Sequence, residues 1–526
     1  MFYFVKDLYC ITYCSPVLMS YAAPLQISYI QDTLMMNTMY SLPSGALFVV
    51  LNVLGVGLGV FYILLHPRET KSMVAWILTF FLLPILGVAL FFLLSEPRKN
   101  RARRRLARQR RGLNPELEQT LLSFRKIHVP ALEKRGFSPS LRKFIKLATR
   151  VNDHRPPTGG NSVEIYHNRA ADSWQALLEA VADATHHIHL EYYIFHADQS
   201  GRELAELLIK KAGKGVSCRL LLDHLGSWDL PSSIVNRLTQ AGVKVAWFMP
   251  VLPWKGPHWR VHVNFRNHRK IVVIDGNISF TGSQNIADEY FRVDSSSGLW
   301  IDTHLCITGP AVYELQETFI EDWYCATGED IFEEKHFPAI DPQESVRGQI
   351  VQVVPSGPDS DTGTMHHLLL AAISAAEFSV IIATPYFVPD QAMVLTLEAA
   401  ALRGVRVRLL LPEKSDQRMA LWAGRSYYRQ LTESGVEVYE MNSAFLHSKV
   451  VAIDKLWGMV GSANMDQRSF RLNFEITTIL YESDCLFKLE KCLAELMDHA
   501  RHATASSCSV GQRLKMGIAR LVSPLY

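Results

Sequence analysis

Cysteine is scarce in this chain: eight residues among 526, scattered from Cys10 to Cys508. Such sparse spacing excludes a disulfide scaffold and points to unpaired thiols in a reducing compartment. Cys10 and Cys14 stand close, but no second pair completes a zinc site. A dominant charge sign is also missing. The net charge of +3 excludes a whole-chain polycation built for nucleic acid. With 48% apolar and 20% charged residues, the chain is neither disordered nor fibrous. Its length exceeds what one hydrophobic core serves, so two or three units are expected. The first forty residues, Met1 to Tyr40, lack a basic start and a clean apolar run, so they do not read as a signal peptide, and no function is legible in them.

What the chain does have is two long uncharged runs. Gly45–Leu65 holds 21 residues and Met73–Leu94 holds 22, none charged. At about 1.5 Å per residue each matches the hydrocarbon thickness of a bilayer. Seven residues, His66 to Ser72, join them, so the reading is a transmembrane helical hairpin. Pro84 lies within the second run, which a membrane helix tolerates, and Gly55 and Gly59 have a spacing that lets helices approach. Nine Lys/Arg and no acid follow between Arg98 and Arg111. That asymmetry places this side, and with it both termini, in the cytoplasm, and the cluster can hold anionic lipid headgroups.

The remainder is duplicated. Lys214–Asp223 is echoed by Arg403–Pro412, and Leu238–Val245 by Leu431–Val438. Each reads as a helix end at Gly followed by a Val/Leu-rich strand. Alternating helices and strands predict an α/β fold: two halves with mixed, largely parallel sheets, covered by helices. The expected organisation is an extension (1–40), the hairpin (45–94), a basic linker (95–156), the two halves (157–345 and 346–505) and a tail (506–526). The Pro/Gly/Ser-rich stretch Val354–Gly363 lies near the opening of the second half.

One repeat carries the chemistry. His268-x-Lys270-x4-Asp275-x6-Gly282-Ser283-x-Asn285 returns as His447-x-Lys449-x4-Asp454-x6-Gly461-Ser462-x-Asn464. His-x-Lys on a strand puts both side chains on one face, and Asp275 and Asp454 then point to the other, so a structural role is expected for these two. Ser283, Asn285, Ser462 and Asn464 end the next strand, where hydroxyl, amide and backbone N–H can meet phosphate oxygens. Two His, two Lys and two Asn suit a phosphodiester, which needs a nucleophile, an acid on the leaving oxygen and positive charge on the remaining oxygens. The lysines supply that charge, so neither metal nor cofactor is expected. A working His needs a carboxylate on its other nitrogen; Asp302 and Glu475, downstream of the two motifs, are the candidates.

These duplicated motifs resemble those of the phospholipase D superfamily. The hairpin, His189–Phe195, Arg266–Lys270, Thr384–Asp390, Gly461–Ser469 and Asn473–Glu475 are similar to bacterial cardiolipin synthases, from about residue 45 onward. The resemblance implies a catalytic set of His268, Lys270, Asp275, His447, Lys449 and Asp454. It also implies joining of two phosphatidylglycerol molecules into cardiolipin, with loss of glycerol, through a phosphohistidine at the bacterial inner membrane. His268 is then the nucleophile and His447 the acid and base, although symmetry alone leaves the roles exchangeable. Competing readings are a phospholipase D-type hydrolase, a membrane-tethered nuclease, which the near-neutral catalytic part disfavours, and a non-catalytic scaffold, which two intact motifs disfavour.

Weaker features remain. His186, His187 and His189, and His366 with His367, form clusters without matching metal spacing, so structural roles are expected. Trp254–Arg260 interleaves tryptophan with basic residues and reads either as an interfacial loop or as packed loop aromatics. Leu514, Ile518, Leu521 and Val522 share a helical face with Arg513, Lys515 and Arg520 around it, suiting a membrane-surface helix or one docked on the protein.

Overall fold

The computed structural model describes residues 49–65, 70–94, 137–250, 264–292, 300–339, 348–359, 363–481, 484–503 and 509–523. The basic run at 98–111, the Trp254–Arg260 loop and Met1–Tyr40 lie outside them. The chain divides into two compact units, Met1–Ser95 and Glu96–Tyr526.

In the first unit residues 49–65 are helical. The second apolar run, expected as one helix, is divided into Thr70–Leu82 and Pro84–Leu94. The cause is Pro84, whose ring crowds the preceding turn and which has no N–H to donate. The ladder continues through the bend, because Leu83 N–H bonds Thr79 O at 2.8 Å and Gly87 N–H bonds Leu83 O at 2.5 Å. No helix among the described residues is long and apolar enough to cross a membrane. Ile63, Phe80 and Phe91 are buried between the helices. Of the two spaced glycines only Gly59 is at a close approach: a Cβ there would sit 2.8 Å from the Phe80 ring, whereas one at Gly55 would meet nothing.

The second unit is built on one 15-stranded sheet. From one edge the strands of the first half run Lys244–Phe248, Ser217–Asp223, His187–Tyr192, Ile271–Ile274, Ile278–Gly282, Thr303–Thr308 and Thr158–His167. The second half follows in mirrored order: Gln349–Ser356, Glu475–Tyr481, Trp457–Gly461, Val450–Ile453, Ser379–Ala383, Arg406–Pro412 and Glu437–Met441, with Arg501–His502 at the edge. The echoed segments thus occupy equivalent places. The halves join where Thr158–His167 pairs antiparallel with Gln349–Ser356. They also share a core in which Val163, Ile307 and Leu315 meet Val351, Ile476 and Leu486.

The sheet is mixed, but the parallel share is smaller than expected. Among the described residues four of its fourteen strand pairings are parallel. Parallel neighbours need a crossover, supplied by helices such as Gln199–Ala212, Ser232–Gln240 and Gln391–Leu402. The strands that follow the His-x-Lys motifs turn back at once. Asp275 and Gly276 have φ of 52° and 69°, and Asp454 and Lys455 have 54° and 58°, the left-handed pair of a tight hairpin. A hairpin makes its strands antiparallel.

Candidate active site

Lys270 and Lys449 immediately precede strands that run antiparallel to the first strand of each half's parallel set, with Ile271 opposite Glu191 and Val450 opposite Ala383. Both motifs therefore open at the sheet edge where the parallel strands end. Two short bridges then cross between halves. Phe445 and Leu446 pair with Trp300 and Ile301, and Asn267 pairs with Phe474. His447 N–H bonds Ile301 O at 2.8 Å, and His268 N–H bonds Phe474 O at 2.9 Å. Each histidine is thereby seated beside the residue that follows its partner in the opposite half.

Those residues are the two predicted carboxylates. His447 Nδ1 lies 2.9 Å from Asp302 Oδ2, and His268 Nδ1 lies 2.9 Å from Glu475 Oε2. A bond at Nδ1 leaves Nε2 as the reactive nitrogen of each ring. Burial pushes both imidazoles down to about 4, against the pull of their carboxylates, so both are neutral near pH 7 in the free protein. Burial opposes ionisation of Asp302 and Glu475 as well, but the facing His and Lys outweigh it and hold both below their ordinary values.

Lys270 and Lys449 donate to the carbonyls of His268 and His447, each at 2.7 Å. Lys449 Nζ also lies 3.0 Å from His447 Nε2. Burial lowers Lys270 well below a usual lysine and Lys449 to about 8, while Asp302 and Glu475 pull both upward. Each histidine bonds the other half's carboxylate, and both carboxylates act on both lysines, so the two motifs converge on a single site. Tyr193 packs edge-on against His268, with ring centres 5.0 Å apart. Tyr290 and Trp300 each lie 5.3 Å from His447.

Other predicted residues take different places. Ser283 and Ser462, expected on phosphate, instead bond the carboxylates: Ser283 Oγ donates to Asp302, and Ser462 Oγ to Glu475 at 2.5 Å. Gly282 and Gly461 bring those hydroxyls in, since a Cβ would sit 2.6 Å from Thr303 O or 2.4 Å from Ile476 O. Asn285 donates to the Tyr290 hydroxyl at 2.8 Å. Asn464 keeps a buried Oδ1 that has no hydrogen-bond partner among the described residues, and it lines a cavity of about 20 Å³ with Lys449.

Asp275 and Asp454, grouped with the catalytic set by the motif, stand at the far ends of their strands. Asp275 accepts backbone N–H groups of Thr185, His186 and His187 at 2.7–2.8 Å. Asp454 does the same for Glu377, Phe378 and Ser379. Burial raises Asp275, but these donors outweigh it and keep its carboxyl below the usual value. The turn, rather than strand alternation, aims them away from the histidines.

Several supporting residues escaped the sequence reading. Ser469 Oγ and Asn473 Nδ2 donate to Glu475 Oε1 at 2.9 and 3.3 Å. Arg269, fully buried, pairs with Asp322 and donates to the Glu475 carbonyl at 3.0 Å. The equivalent position of the other motif is Ser448, bonded by the Thr303 hydroxyl at 3.0 Å. Only the second half's local run, Ser469 to Glu475, carried any signal, because the other partners are distant in sequence. The histidine clusters are packed: His189 stacks on Phe319 and takes Gln316, and His366 pairs with Asp390. Among the described residues no His, Cys, Asp or Glu group is arranged to hold a metal ion. The described Cys218, Cys306, Cys485 and Cys492 are free thiols.

Comparison with known proteins agrees with this architecture. The solved phosphatidylserine synthase of Haemophilus influenzae Rd KW20 superposes with a TM-score of 0.55, covering 73% of this chain and 98% of its own, at 14% identity. That likeness concerns the fold. The cardiolipin synthase of Geobacillus kaustophilus is 37% identical over 468 residues, 88% of this chain and 90% of its own length. Cardiolipin synthase 2 of Bacillus anthracis is 36% identical over 475 residues, 88% of this chain and 87% of its own. The family described as "Cardiolipin synthase, PLD-like domain" matches residues 177–323 and 369–497, one stretch in each half. The chain therefore belongs to the cardiolipin synthase family of the phospholipase D superfamily.

Proposed function

We propose that this enzyme is a phosphatidyltransferase that joins two phosphatidylglycerol molecules into cardiolipin and releases glycerol. The observation that carries the reading is the single site in which each half's histidine is held by the other half's carboxylate, with both lysines close enough to feel both carboxylates. In the first step Nε2 of His268 attacks phosphorus, and the bond from phosphorus to the glycerol headgroup oxygen breaks. His447, protonated once the phosphate anion is seated beside it, gives its proton to that oxygen, and glycerol leaves. In the second step neutral His447 takes the proton from the terminal hydroxyl of the second phosphatidylglycerol. That oxygen displaces His268 from phosphorus, forming cardiolipin. Lys270 and Lys449 offset charge on the non-bridging oxygens, and Asp302 and Glu475 fix the tautomers.

Residues 45–94 form the membrane anchor in this reading, and the catalytic halves lie on the cytoplasmic side of a bacterial inner membrane. The anchor is supported by exposed Val53, Leu58, Phe81 and Leu82, by the hydrogen bonds that continue across the Pro84 bend, and by the basic run at 98–111. The test incubates purified full-length protein with phosphatidylglycerol in detergent and separates the lipids. Cardiolipin with glycerol is the expected product pair. Phosphatidic acid with glycerol means that water is the acceptor and the enzyme is a hydrolase.

A further inference from the structure

The C-terminal helix Val510–Val522 is docked by one face and apolar on the other. Ser509 caps its start, with its Oγ accepting Gln512 N–H at 3.3 Å while the Gln512 side chain takes Ser509 N–H at 2.9 Å. Ala519 is fully buried in a cluster with Ala420 and Ala423 of the helix Arg418–Arg425. Arg520 lies over the Tyr427 ring at 4.1 Å and Lys515 over Trp422 at 5.8 Å, so both sides of the contact are pinned. At about 3.6 residues per turn, Val510, Leu514, Ile518 and Leu521 fall on the side opposite Ala519. They are exposed, Leu514 by 63% and Leu521 by 79%. No acid occurs after Asp498, whereas Arg513, Lys515 and Arg520 flank the stripe.

The helix Arg418–Arg425, on which the C-terminal helix docks, follows the strand Arg406–Pro412, at the sheet edge where the two motifs open. Asp416, just before it, is close enough to act on Lys449. The first half presents an apolar feature at the same edge. Its strand Ser217–Asp223 ends in a loop bearing Leu225 and Trp228, the latter 78% exposed. Ser227 ties this loop to the site by accepting Phe195 N–H at 3.0 Å and donating to Tyr193 O at 2.9 Å.

We infer that this edge of the catalytic body seats directly on an anionic bilayer surface, with the stripe of the C-terminal helix and the Leu225–Trp228 loop entering the headgroup layer on either side of the site. The inference rests on the proposed lipid chemistry and adds how the substrate is reached. Charge complementarity selects the partner: an apolar stripe flanked only by cations suits anionic lipid, and an exposed tryptophan suits the interface. Two such features at the edge that holds both histidines let a headgroup reach Nε2 while its chains stay in the bilayer.

Hydrogen–deuterium exchange of the full chain, reconstituted into phosphatidylcholine vesicles with or without phosphatidylglycerol, tests this without relying on turnover. Both segments, 225–230 and 510–522, gain protection when phosphatidylglycerol is present. Equal exchange in both vesicles overturns the inference. A double variant, Leu514→Asp with Leu521→Asp, then loses roughly tenfold in cardiolipin formation from bilayer phosphatidylglycerol but keeps its rate on soluble short-chain phosphatidylglycerol. Phe378→Ser, an exposed apolar residue where its strand begins at the opposite edge, changes neither. Equal loss on both substrates, or conversion of a dimer to a monomer by the double variant, overturns the membrane assignment. Absence of cardiolipin with wild-type protein, despite protection, instead contradicts the proposed reaction.

Discussion

The carboxylate that steadies His268 belongs to the other half of the chain: Glu475 Oε2 lies 2.9 Å from His268 Nδ1. Asp302 and His447 repeat the relation in the opposite sense at 2.9 Å. Neither half alone supplies the carboxylate that its own motif histidine bonds. The short parallel bridges of Phe474 with Asn267 and of Ile301 with Leu446 hold the exchange in register.

Glu475→Gln and Asp302→Asn keep shape and remove charge. Each is expected to cost about 2–4 kcal/mol of transition-state stabilisation, a fall in kcat of roughly 30- to 1,000-fold, because the imidazolium formed during transfer loses its counterion. KM for phosphatidylglycerol stays within about threefold. Steady-state kinetics on both variants checks this; near-normal kcat in either would remove that carboxylate from the mechanism.

Asp275→Asn acts on stability. The amide keeps one acceptor but loses the charge that receives Thr185, His186 and His187. A half-exposed carboxylate with charge-assisted bonds implies a cost of about 1–2 kcal/mol and a melting temperature lower by a few degrees. At temperatures where the variant is folded, kcat is expected within about threefold of wild type. A normal melting temperature with lost turnover would place Asp275 in the chemistry.

The pH profile is expected to carry an alkaline limb set by Lys449. Its ammonium, lowered to about 8, is charged below that pH and neutral above it. A neutral amine no longer offsets the phosphate charge, so kcat/KM falls as pH rises through about 8. In Lys449→Arg the charge persists, and the normalised profile should stay flat through this range. A limb at the same pH in the variant would assign it to another group.

Turnover is expected to survive a chelator. In the proposed mechanism Lys270 and Lys449 supply the positive charge that a cation would otherwise provide. Product formation is compared before and after treatment with EDTA and dialysis. Complete loss, restored by one particular ion, would contradict the lysine-based site.

The residues that gather at the site were legible in the linear chain. The repeated spacing marked the duplication and both motifs, and their downstream neighbourhood offered the two carboxylates. The histidines and lysines, however, lie just before their strands rather than on them. Asp275 and Asp454 sit in tight turns that strand alternation did not foresee. The α/β class was legible because helix and strand periods act over a few residues, whereas the sheet's direction was misjudged where tight turns replaced crossovers. Only tertiary structure decided which carboxylate serves which histidine, since residues 268 and 475 meet through a strand exchange between halves. It also decided that Ser283 and Ser462 face carboxylates, because Gly282 and Gly461 let the next strand come close enough to receive their hydroxyls. The C-terminal helix shows the division most plainly. Its amphipathic period is written in the residue order, but its orientation comes from small residues packing at Ala519, which turn the apolar stripe outward.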